Sequence, residues 1–319
     1  MAIGNRQSAI AYILPGQGSQ YAGMGKNLAE NFSAARKVFE EVDEALGFQI
    51  SQLCFDGPPE ALQLTENTQP AILSVSVAAL RVMKAEGFPQ PAYVAGHSLG
   101  EYSALVAAGA LTLADAVRTV RARGRYMQEA VPAGRGAMAA VIGATLSDIE
   151  RVCMEASDGK VCTPANINSS NQVVIAGNTE AIERAIERLK EIGAKRVIKL
   201  NVSAPFHCAL MMPAQERLAA DLENLHIDDL QITLVSNVDA VPLKRATEAR
   251  DSLIRQVSSP VHWKESIEVL IDKGVDTFVE VGPGKVLSGL MRQISREGKC
   301  FNVEDSASLR TTSENLEVF

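Results

Sequence analysis

The sequence is poor in cysteine and has no long apolar run, and these shortages exclude several protein classes. Its five cysteines, an odd number, show no CxxC or other metal-ligand spacing, which argues against a disulfide framework or a thiolate metal site. No stretch approaches the roughly 20 apolar residues of a membrane-spanning helix. The N-terminus has no basic segment followed by a long apolar run, so we expect no secretory signal. These features predict a cytoplasmic protein with reduced thiols.

The sequence also lacks an excess of basic charge. Its 31 Lys and Arg residues are outnumbered by 38 Asp and Glu residues, for a net charge of −7. This balance argues against a nucleic-acid-binding or membrane-surface protein, and an anionic substrate would have to meet a local basic site. With 319 residues, 46% of them hydrophobic, the chain can bury one large core or two unequal ones.

A glycine-flanked serine is the most informative motif present. Residues 96–100 read Gly-His-Ser-Leu-Gly, after the apolar run 93–95 and before a helical stretch at 101–110. The G-x-S-x-G nucleophile elbow requires this strand-turn-helix context, because the tight turn lifts the serine hydroxyl out of the backbone and the glycines let strand and helix pass closely. N–H groups at the start of the helix can then stabilise an oxyanion. We interpret Ser98 as a nucleophile in acyl chemistry.

Alternating strand and helix patterns around this motif predict an α/β fold. A strand at Ala9–Leu14 is followed by helical periodicity at 27–46, by a helix that begins at Pro70 and ends near 86, and by another at 114–130. Because strands that alternate with helices pair in parallel, we expect a largely parallel sheet. The tail after about residue 303 is polar and is predicted to be loosely held.

A different pattern in the middle of the chain predicts an inserted module. Its order, strand-helix-strand-strand-helix-strand, is that of a ferredoxin-like unit. The elements are expected at 137–142, 147–156, 161–165, 173–177, 179–192 and 196–200. We therefore predict a small ferredoxin-like subdomain at 134–204, inserted in a discontinuous large α/β domain made of 1–133 and 205–319.

One arginine lies on the apolar face of the helix predicted at 114–130. At about 100° per residue, Arg118, Arg121 and Arg125 share one sector, typical of a solvated basic face. Arg123 points into the opposite, apolar stripe. An unpaired buried charge costs several kcal/mol, so this guanidinium must meet an anion or several acceptors. Two interpretations stay open: a structural salt bridge to a buried carboxylate, or a planar fork presented to a substrate carboxylate or phosphate.

The four histidines differ in how well they are placed to activate the serine. His207 ends a short loop between a strand and a helix, a position that catalytic residues favour. His262 precedes a tryptophan and is expected in the core, His226 is expected on the surface, and His97 is expected to pack beside the serine. The sequence ranks His207 first as the base and His262 second.

These motifs occur together, and in one order, in a known family. They are 15–20 (PGQGSQ), 96–103 (GHSLGEYS), Arg123-Gly124, Asn166-x-Asn168, 172–177 (QVVIAG), Pro205-Phe206-His207 and 281–285 (VGPGK). With them, the chain from about residue 8 to 300 resembles the malonyl-CoA:acyl carrier protein transacylases of bacterial type II fatty acid synthesis. The resemblance implies a hydrolase-like, parallel-sheet large domain with an inserted ferredoxin-like subdomain, which agrees with the element order above.

The resemblance implies a Ser–His dyad rather than a full triad. Ser98 is then the acyl-accepting nucleophile and His207 its base, oriented by the backbone carbonyl of Gln256. Arg123 resembles the family arginine that holds the malonyl carboxylate through two parallel hydrogen bonds.

The same resemblance implies roles for residues around the dyad. The backbone N–H groups of Gln17 and Leu99 are expected to form the oxyanion hole. Phe206 is expected to disfavour acyl groups with an α-methyl branch. The remaining residues, expected to support the site, are His97, Asn166 and Asn168.

The implied function is transfer of malonyl from malonyl-CoA to the phosphopantetheine thiol of acyl carrier protein, by a monomer that needs no cofactor and no metal. Alternatives are a trans-acting acyltransferase of a polyketide synthase, an α/β-hydrolase thioesterase and a non-catalytic carrier-binding module. A thioesterase gives no reason for Arg123 to face inward.

The carrier protein, acidic as a family, needs a basic surface on the enzyme. Two groups of basic residues stay open as candidates for this surface: Arg118, Arg121 and Arg125, or Lys190, Lys195, Arg196 and Lys199.

Overall fold

The computed structural model describes residues 9–202 and 204–318, which form two β-sheets with helices packed around them. The strands are β1 (Ala9–Leu14), β2 (Tyr93–Gly96), β3 (Gly136–Ile142), β4 (Cys162–Ser169), β5 (Gln172–Asn178), β6 (Arg196–Lys199), β7 (Thr233–Val235), β8 (Pro242–Leu243), β9 (Val275–Val281) and β10 (Lys299–Val303). The helices are α1 (Lys26–Asn31), α2 (Ser33–Leu46), α3 (Ile50–Asp56), α4 (Pro59–Leu62), α5 (Thr65–Ala85), α6 (Gly100–Ala107), α7 (Leu113–Glu129), α8 (Leu146–Ser157), α9 (Thr179–Glu191), α10 (Met212–Asn224), α11 (Ala246–Gln256), α12 (Trp263–Asp272), α13 (Val286–Ile294) and α14 (Ser306–Asn315). Within these ranges, no helix has both the length and the apolarity needed to cross a membrane. The first eight residues, on which the secretory-signal expectation partly rests, lie outside the described chain.

The large sheet places the ends of β1 and β2 side by side. Its strand order is β10-β9-β1-β2-β7-β8, and every neighbouring pair is parallel except β7 with β8. Leu14 pairs with Gly96 in the register, and the N–H of His97 donates to the Leu14 carbonyl at 3.0 Å. Because parallel strands end at the same edge of a sheet, the loop after β1 and the serine turn after β2 meet there.

Two helices differ from the sequence prediction. The periodicity at 27–46 is divided between α1 and α2, because Phe32 between them adopts an extended conformation. Helix α5 begins at Thr65, and Pro70 lies inside it, so the prediction that the helix starts at the proline was wrong. Burial of most of α5 outweighs the single backbone hydrogen bond that an internal proline removes.

The tail after residue 303 forms a docked helix, so the prediction of a loosely held tail was wrong. The Asp305 carboxylate caps α14 by accepting from the Ser308 N–H at 2.7 Å. Leu309 and Thr312 are buried, and the Thr312 hydroxyl donates to the Asn302 carbonyl in β10 at 2.9 Å. The buried side of α14 is narrow and consists partly of residues with hydroxyl groups. Its composition is therefore polar, and the sequence shows no clear apolar stripe from which to predict a docked helix.

Strands β3 to β6 form a separate antiparallel sheet. Its order, β4-β5-β3-β6, is that of a ferredoxin-like unit, and α8 and α9 pack on it through one shared apolar cluster. Backbone hydrogen bonds tie β4 to the loop before α12: Ile167 N–H donates to the Val261 carbonyl and Val261 N–H to the Ala165 carbonyl, both at 2.9 Å. The predicted α/β class is confirmed, while the subdomain boundaries at 134 and 204 stay predictions.

We expect Gly96→Ala to unfold or strongly destabilise the protein. A Cβ at Gly96 would lie 1.9 Å from the carbonyl carbon of Gly100, and one at Gly100 would lie 2.1 Å from the Leu14 oxygen. Backbone atoms cannot rotate away, so the loss should exceed the about 1–3 kcal/mol typical of overpacked cores. Urea denaturation followed by circular dichroism measures it. The control is Gly289→Ala in α13, where the position is open and alanine should stabilise the helix by up to about 1 kcal/mol. A Gly96→Ala protein as stable as the wild type would contradict this packing.

Candidate active site

A small cavity lies at the sheet edge where β1 and β2 end. Its volume is about 100 Å³, which suits a short acyl group. The polar side chains that line it are Gln17, Gln69, His97, Ser98, Arg123, Asn166 and His207. The apolar ones are Leu99, Met127, Met138, Leu200, Val202 and Phe206. Most of the residues that sequence reasoning proposed for the site therefore converge on this cavity.

Ser98 occupies a strained turn that an asparagine holds from behind. Its φ is 52°, in the left-handed region that residues other than glycine rarely adopt. The Asn237 amide oxygen accepts from the Ser98 N–H at 2.7 Å, and the Asn237 Nδ2 donates to the Gly96 carbonyl at 2.6 Å. This amide bridges the two sides of the turn and offsets its strain, while the Ser98 side chain lines the cavity.

His207 faces Ser98 in the geometry of a base and its nucleophile. Its Nε2 lies 2.7 Å from Ser98 Oγ, and its Nδ1 lies 2.8 Å from the Gln256 carbonyl oxygen. A carbonyl can only accept a hydrogen bond, so Nδ1 carries the proton and Nε2 is left to accept from the serine. His207 is 3% exposed, and its φ of 59° makes it the second non-glycine residue of the site in the left-handed region.

We expect Ser98 to react with a small uncharged phosphonylating agent at a constant rate from about pH 5 to about pH 8. Burial, followed by the positive charge of Arg123, lowers the pKa of His207 to about 3. Neutral imidazole is the reactive form, so the rate is lost only as the pH falls through this lowered pKa. Rates of labelling by a fluorophosphonate across this range test the expectation. A rate that titrates with the ordinary histidine pKa of about 6.5 would contradict it.

Arg123 is buried in the cavity wall, and its hydrogen-bond partners carry no charge. It is 1% exposed, with Nη1 donating to Gln69 Oε1 at 2.7 Å. Its Nη2 donates to Gln256 Oε1 at 2.9 Å and to Ser98 Oγ at 3.1 Å. Within the described residues its Nε has no hydrogen-bond partner. These contacts favour the anion-site interpretation over a structural salt bridge, because neutral acceptors orient the guanidinium without neutralising it.

The predicted supporting residues divide into cavity wall and framework. His97 lines the cavity, and its Nε2 lies 2.8 Å from Asn168 Oδ1 in β4. Its ring also packs against Trp263, with 5.5 Å between ring centroids. The side chain of Gln256 is fully buried behind the arginine and the histidine, outside the cavity lining. The residues that line the cavity with the dyad are Gln17, Leu99, Asn166 and Phe206.

Three buried polar side chains were not identified from the sequence. Gln69 was missed because the helix was expected to begin one residue later. Asn237 follows β7, the parallel neighbour of β2, so its place at the carboxyl end of a strand was the available signal. Glu101 is buried in the otherwise uncharged helix α6; it belongs to the serine motif, but the sequence predicted no role for it.

Two expectations outside the site need correction. His262 does not lie in the core: its side chain is 34% exposed, and its Nδ1 lies 3.8 Å from a Glu265 oxygen. Arg121 is not simply solvated, since its guanidinium lies over the Phe48 ring at 4.0 Å from the centroid. His226, by contrast, has the exposed position that was predicted.

Comparison with known proteins places the chain in a family. Residues 11–315 match the acyl transferase domain family. The malonyl CoA-acyl carrier protein transacylase of Bacillus subtilis (strain 168) is 47% identical over 97% of this chain and 98% of that protein. The solved structure of the malonyl CoA-acyl carrier protein transacylase from Coxiella burnetii matches with a TM-score of 0.95 at 42% identity, covering 97% of this chain and 98% of that one.

A third match was solved together with its partner. It is a malonyl-transacylase in complex with a holo type II polyketide synthase acyl-carrier protein, with a TM-score of 0.95 at 45% identity, covering 97% of this chain and 100% of that one. Sequence, fold and site geometry thus agree. The chain belongs to the malonyl CoA-acyl carrier protein transacylases of the acyl transferase family.

Proposed function

We propose that this enzyme moves a malonyl group from malonyl-CoA to the phosphopantetheine thiol of acyl carrier protein, through a malonyl ester of Ser98, and so supplies fatty acid synthesis. One observation carries the proposal: a Ser–His pair and a buried Arg123, whose direct hydrogen-bond partners are all uncharged, line a single small cavity. The pair accounts for acyl transfer, and the arginine accounts for an acyl group that bears a second, ionised carboxyl group. The names of the relatives point to the same acyl group and acceptor.

In the first half-reaction, His207 Nε2 takes the proton of Ser98 as Oγ attacks the thioester carbon. The oxyanion that forms is held by the backbone N–H groups of Gln17 and Leu99. Collapse of the intermediate breaks the C–S bond, and His207 passes its proton to the departing CoA sulfur. The Gln256 carbonyl keeps the imidazole oriented throughout, so the reaction requires no carboxylate as the third member of a catalytic triad.

In the second half-reaction, His207 takes the proton of the carrier thiol, and the sulfur attacks the malonyl ester. The bond between Ser98 Oγ and the malonyl carbonyl carbon breaks, and His207 passes the proton of the thiol to Ser98 Oγ. Both acyl carriers are substrates, so the proposed chemistry uses only side chains and backbone of this protein. Kinetics should be ping-pong because the enzyme holds the acyl group between two substrates.

Selection of the acyl group rests on two cavity residues. A monocarboxylic acyl group such as acetyl leaves the buried Arg123 guanidinium without an anion in direct contact, which makes malonyl the favoured group. Phe206 lines the same cavity, and we propose that its ring disfavours an α-methyl branch.

A second candidate acceptor is the carrier protein of a polyketide synthase. The relative that is 45% identical was solved with such a carrier protein. Both carriers present the same thiol, so one site serves either pathway.

We further propose that residues 134–204 form a subdomain closing one side of the cavity, since Met138, Asn166 and Leu200 line it. The five unpaired cysteines support placing the enzyme in the reducing cytoplasm.

Mass spectrometry of one incubation tests the proposed function. The enzyme is mixed with malonyl-CoA, with and without holo acyl carrier protein, and malonyl-carrier, free malonate and malonyl-enzyme are followed. Malonyl-enzyme should accumulate without the carrier and be consumed by it, with little malonate released. Rapid malonate release in both arms would instead indicate a thioesterase.

A further inference from the structure

Glu101 is a buried carboxylate that the proposed reaction steps do not use. It is 1% exposed and lies in α6, directly behind the serine turn. A carboxylate is costly to bury unless several donors stabilise it, so a buried carboxylate at this place is expected to have a specific role.

Within the described residues, every hydrogen-bond partner of the Glu101 carboxylate acts as a donor. Its Oε2 accepts from Gln256 Nε2 at 2.7 Å and from the Asn237 N–H at 3.2 Å. Its Oε1 accepts from the Ser252 hydroxyl at 3.2 Å. Three groups that can donate to two oxygens suit the ionised form; the Gln256 NH₂ group and the Asn237 N–H can only donate, so a carboxyl proton on Oε2 would have no acceptor there.

The Gln256 amide connects this carboxylate to the arginine of the cavity. Its Nε2 donates to Glu101 at 2.7 Å and to the Ser98 backbone carbonyl at 3.0 Å, while its Oε1 accepts from Arg123 Nη2 at 2.9 Å. A glutamine amide has one donor end and one acceptor end. If it flipped, its oxygen would face the Glu101 carboxylate and its NH₂ group would face the guanidinium, and both contacts would be repulsive.

We propose that Glu101 is a positioning residue for acyl-group selection: its carboxylate fixes the orientation of the Gln256 amide, and that amide keeps Arg123 aimed at the substrate carboxylate. The proposal rests on the malonyl-transfer function above. It requires no contact between Glu101 and the substrate. The negative charge also lies close enough to stabilise the arginine electrostatically before a substrate anion arrives.

The test compares malonyl with acetyl transfer in Glu101→Gln, Glu101→Leu and the control Ser252→Ala. Glutamine keeps the shape and an acceptor oxygen but removes the charge, whereas leucine removes both. The Ser252 hydroxyl contacts Glu101 and does not line the cavity, and alanine keeps the backbone of α11, in which Ser252 lies one turn before Gln256. Burial raises the pKa of Glu101 to about 7, so the assays are run near pH 8, where wild-type Glu101 is ionised. Labelling of Ser98 by an uncharged fluorophosphonate measures the dyad alone, and thermal unfolding by circular dichroism shows that each variant folds.

The ratio of malonyl to acetyl kcat/KM should fall by about 10- to 100-fold in Glu101→Leu and by less in Glu101→Gln, mainly through a higher KM for malonyl-CoA. Fluorophosphonate labelling should stay within about threefold of wild type. Ser252→Ala should keep the wild-type ratio. An unchanged ratio in folded Glu101→Gln and Glu101→Leu proteins would overturn the proposal. So would equal losses of malonyl transfer, acetyl transfer and labelling, since these would make Glu101 a support of the serine turn.

Wild type and Arg123→Ala are measured in parallel to separate this inference from the function on which it rests. If wild type transfers no malonyl, or if Arg123→Ala keeps the wild-type ratio, the proposed function itself has failed. If both behave as proposed and only the Glu101 variants keep the wild-type ratio, the failure is confined to Glu101.

Discussion

Ser98→Ala should form no malonyl-enzyme and should transfer malonyl at least about 10,000-fold more slowly than the wild type. Ser98 lines the cavity with its oxygen 2.7 Å from His207 Nε2, so the variant removes the atom proposed to form the ester. The remaining donors can polarise a thioester but cannot hold the acyl group covalently. Incubation with radioactive malonyl-CoA, followed by acid precipitation, measures the bound label, and a stopped assay with carrier protein measures transfer.

The chain offers a matched control for this substitution. Ser103 lies in the helix that follows the turn, is fully buried, and has no hydrogen-bond partner for its hydroxyl within the described residues. Ser103→Ala should therefore keep both the label and the transfer rate. Covalent label on the Ser98→Ala protein would mean that another residue is the nucleophile.

Arg123→Ala should lower kcat/KM for malonyl transfer by about 100- to 1,000-fold and should affect acetyl transfer far less. The malonyl carboxylate would enter a buried cavity without the cation that matches it, whereas acetyl brings no charge to be matched. The neutral acceptors of the guanidinium, Gln69 and Gln256, cannot take over its role. Steady-state kinetics with both thioesters, varied against a fixed carrier concentration, give the two values.

Arg125→Ala is the control for the arginine. Arg125 lies two residues further along α7, is exposed, and rests over the Tyr126 ring at 5.4 Å from the centroid. The ratio of malonyl to acetyl transfer should stay near the wild-type value, because any loss of carrier binding at this basic surface would lower both rates equally. Equal losses of malonyl and acetyl transfer in Arg123→Ala would show that the arginine supports the dyad, through its contact with Ser98, and does not select the acyl group.

The strand-turn-helix around Ser98 could be predicted because its determinants are local. Gly96 and Gly100 are required by backbone contacts that a Cβ would violate. The inward direction of Arg123 followed from helical periodicity alone, since one charged position on an apolar stripe is visible in the sequence. The choice of His207 over His262 was less secure, because it depended on where two loops come to lie.

What the sequence could not show was the set of contacts between distant segments. Asn237 reaches Ser98 across 139 positions, and Gln256 reaches the same turn across 158. Such pairs are set by strand order and helix packing, which periodicity does not encode. Gln69 was missed for a different reason. Helix α5 is stabilised by tertiary burial and continues on both sides of Pro70, whereas a proline usually marks the start of a helix.

The most direct test of the whole account is a crystal structure of the malonyl-enzyme, formed with malonyl-CoA in the absence of carrier protein. The ester should be on Ser98 Oγ, its carbonyl oxygen should face the N–H groups of Gln17 and Leu99, and the free carboxylate should form two hydrogen bonds with the Arg123 guanidinium. Gln69 and Gln256 should still hold that guanidinium in place. An ester on another residue, or a malonyl carboxylate turned away from Arg123, would contradict the account.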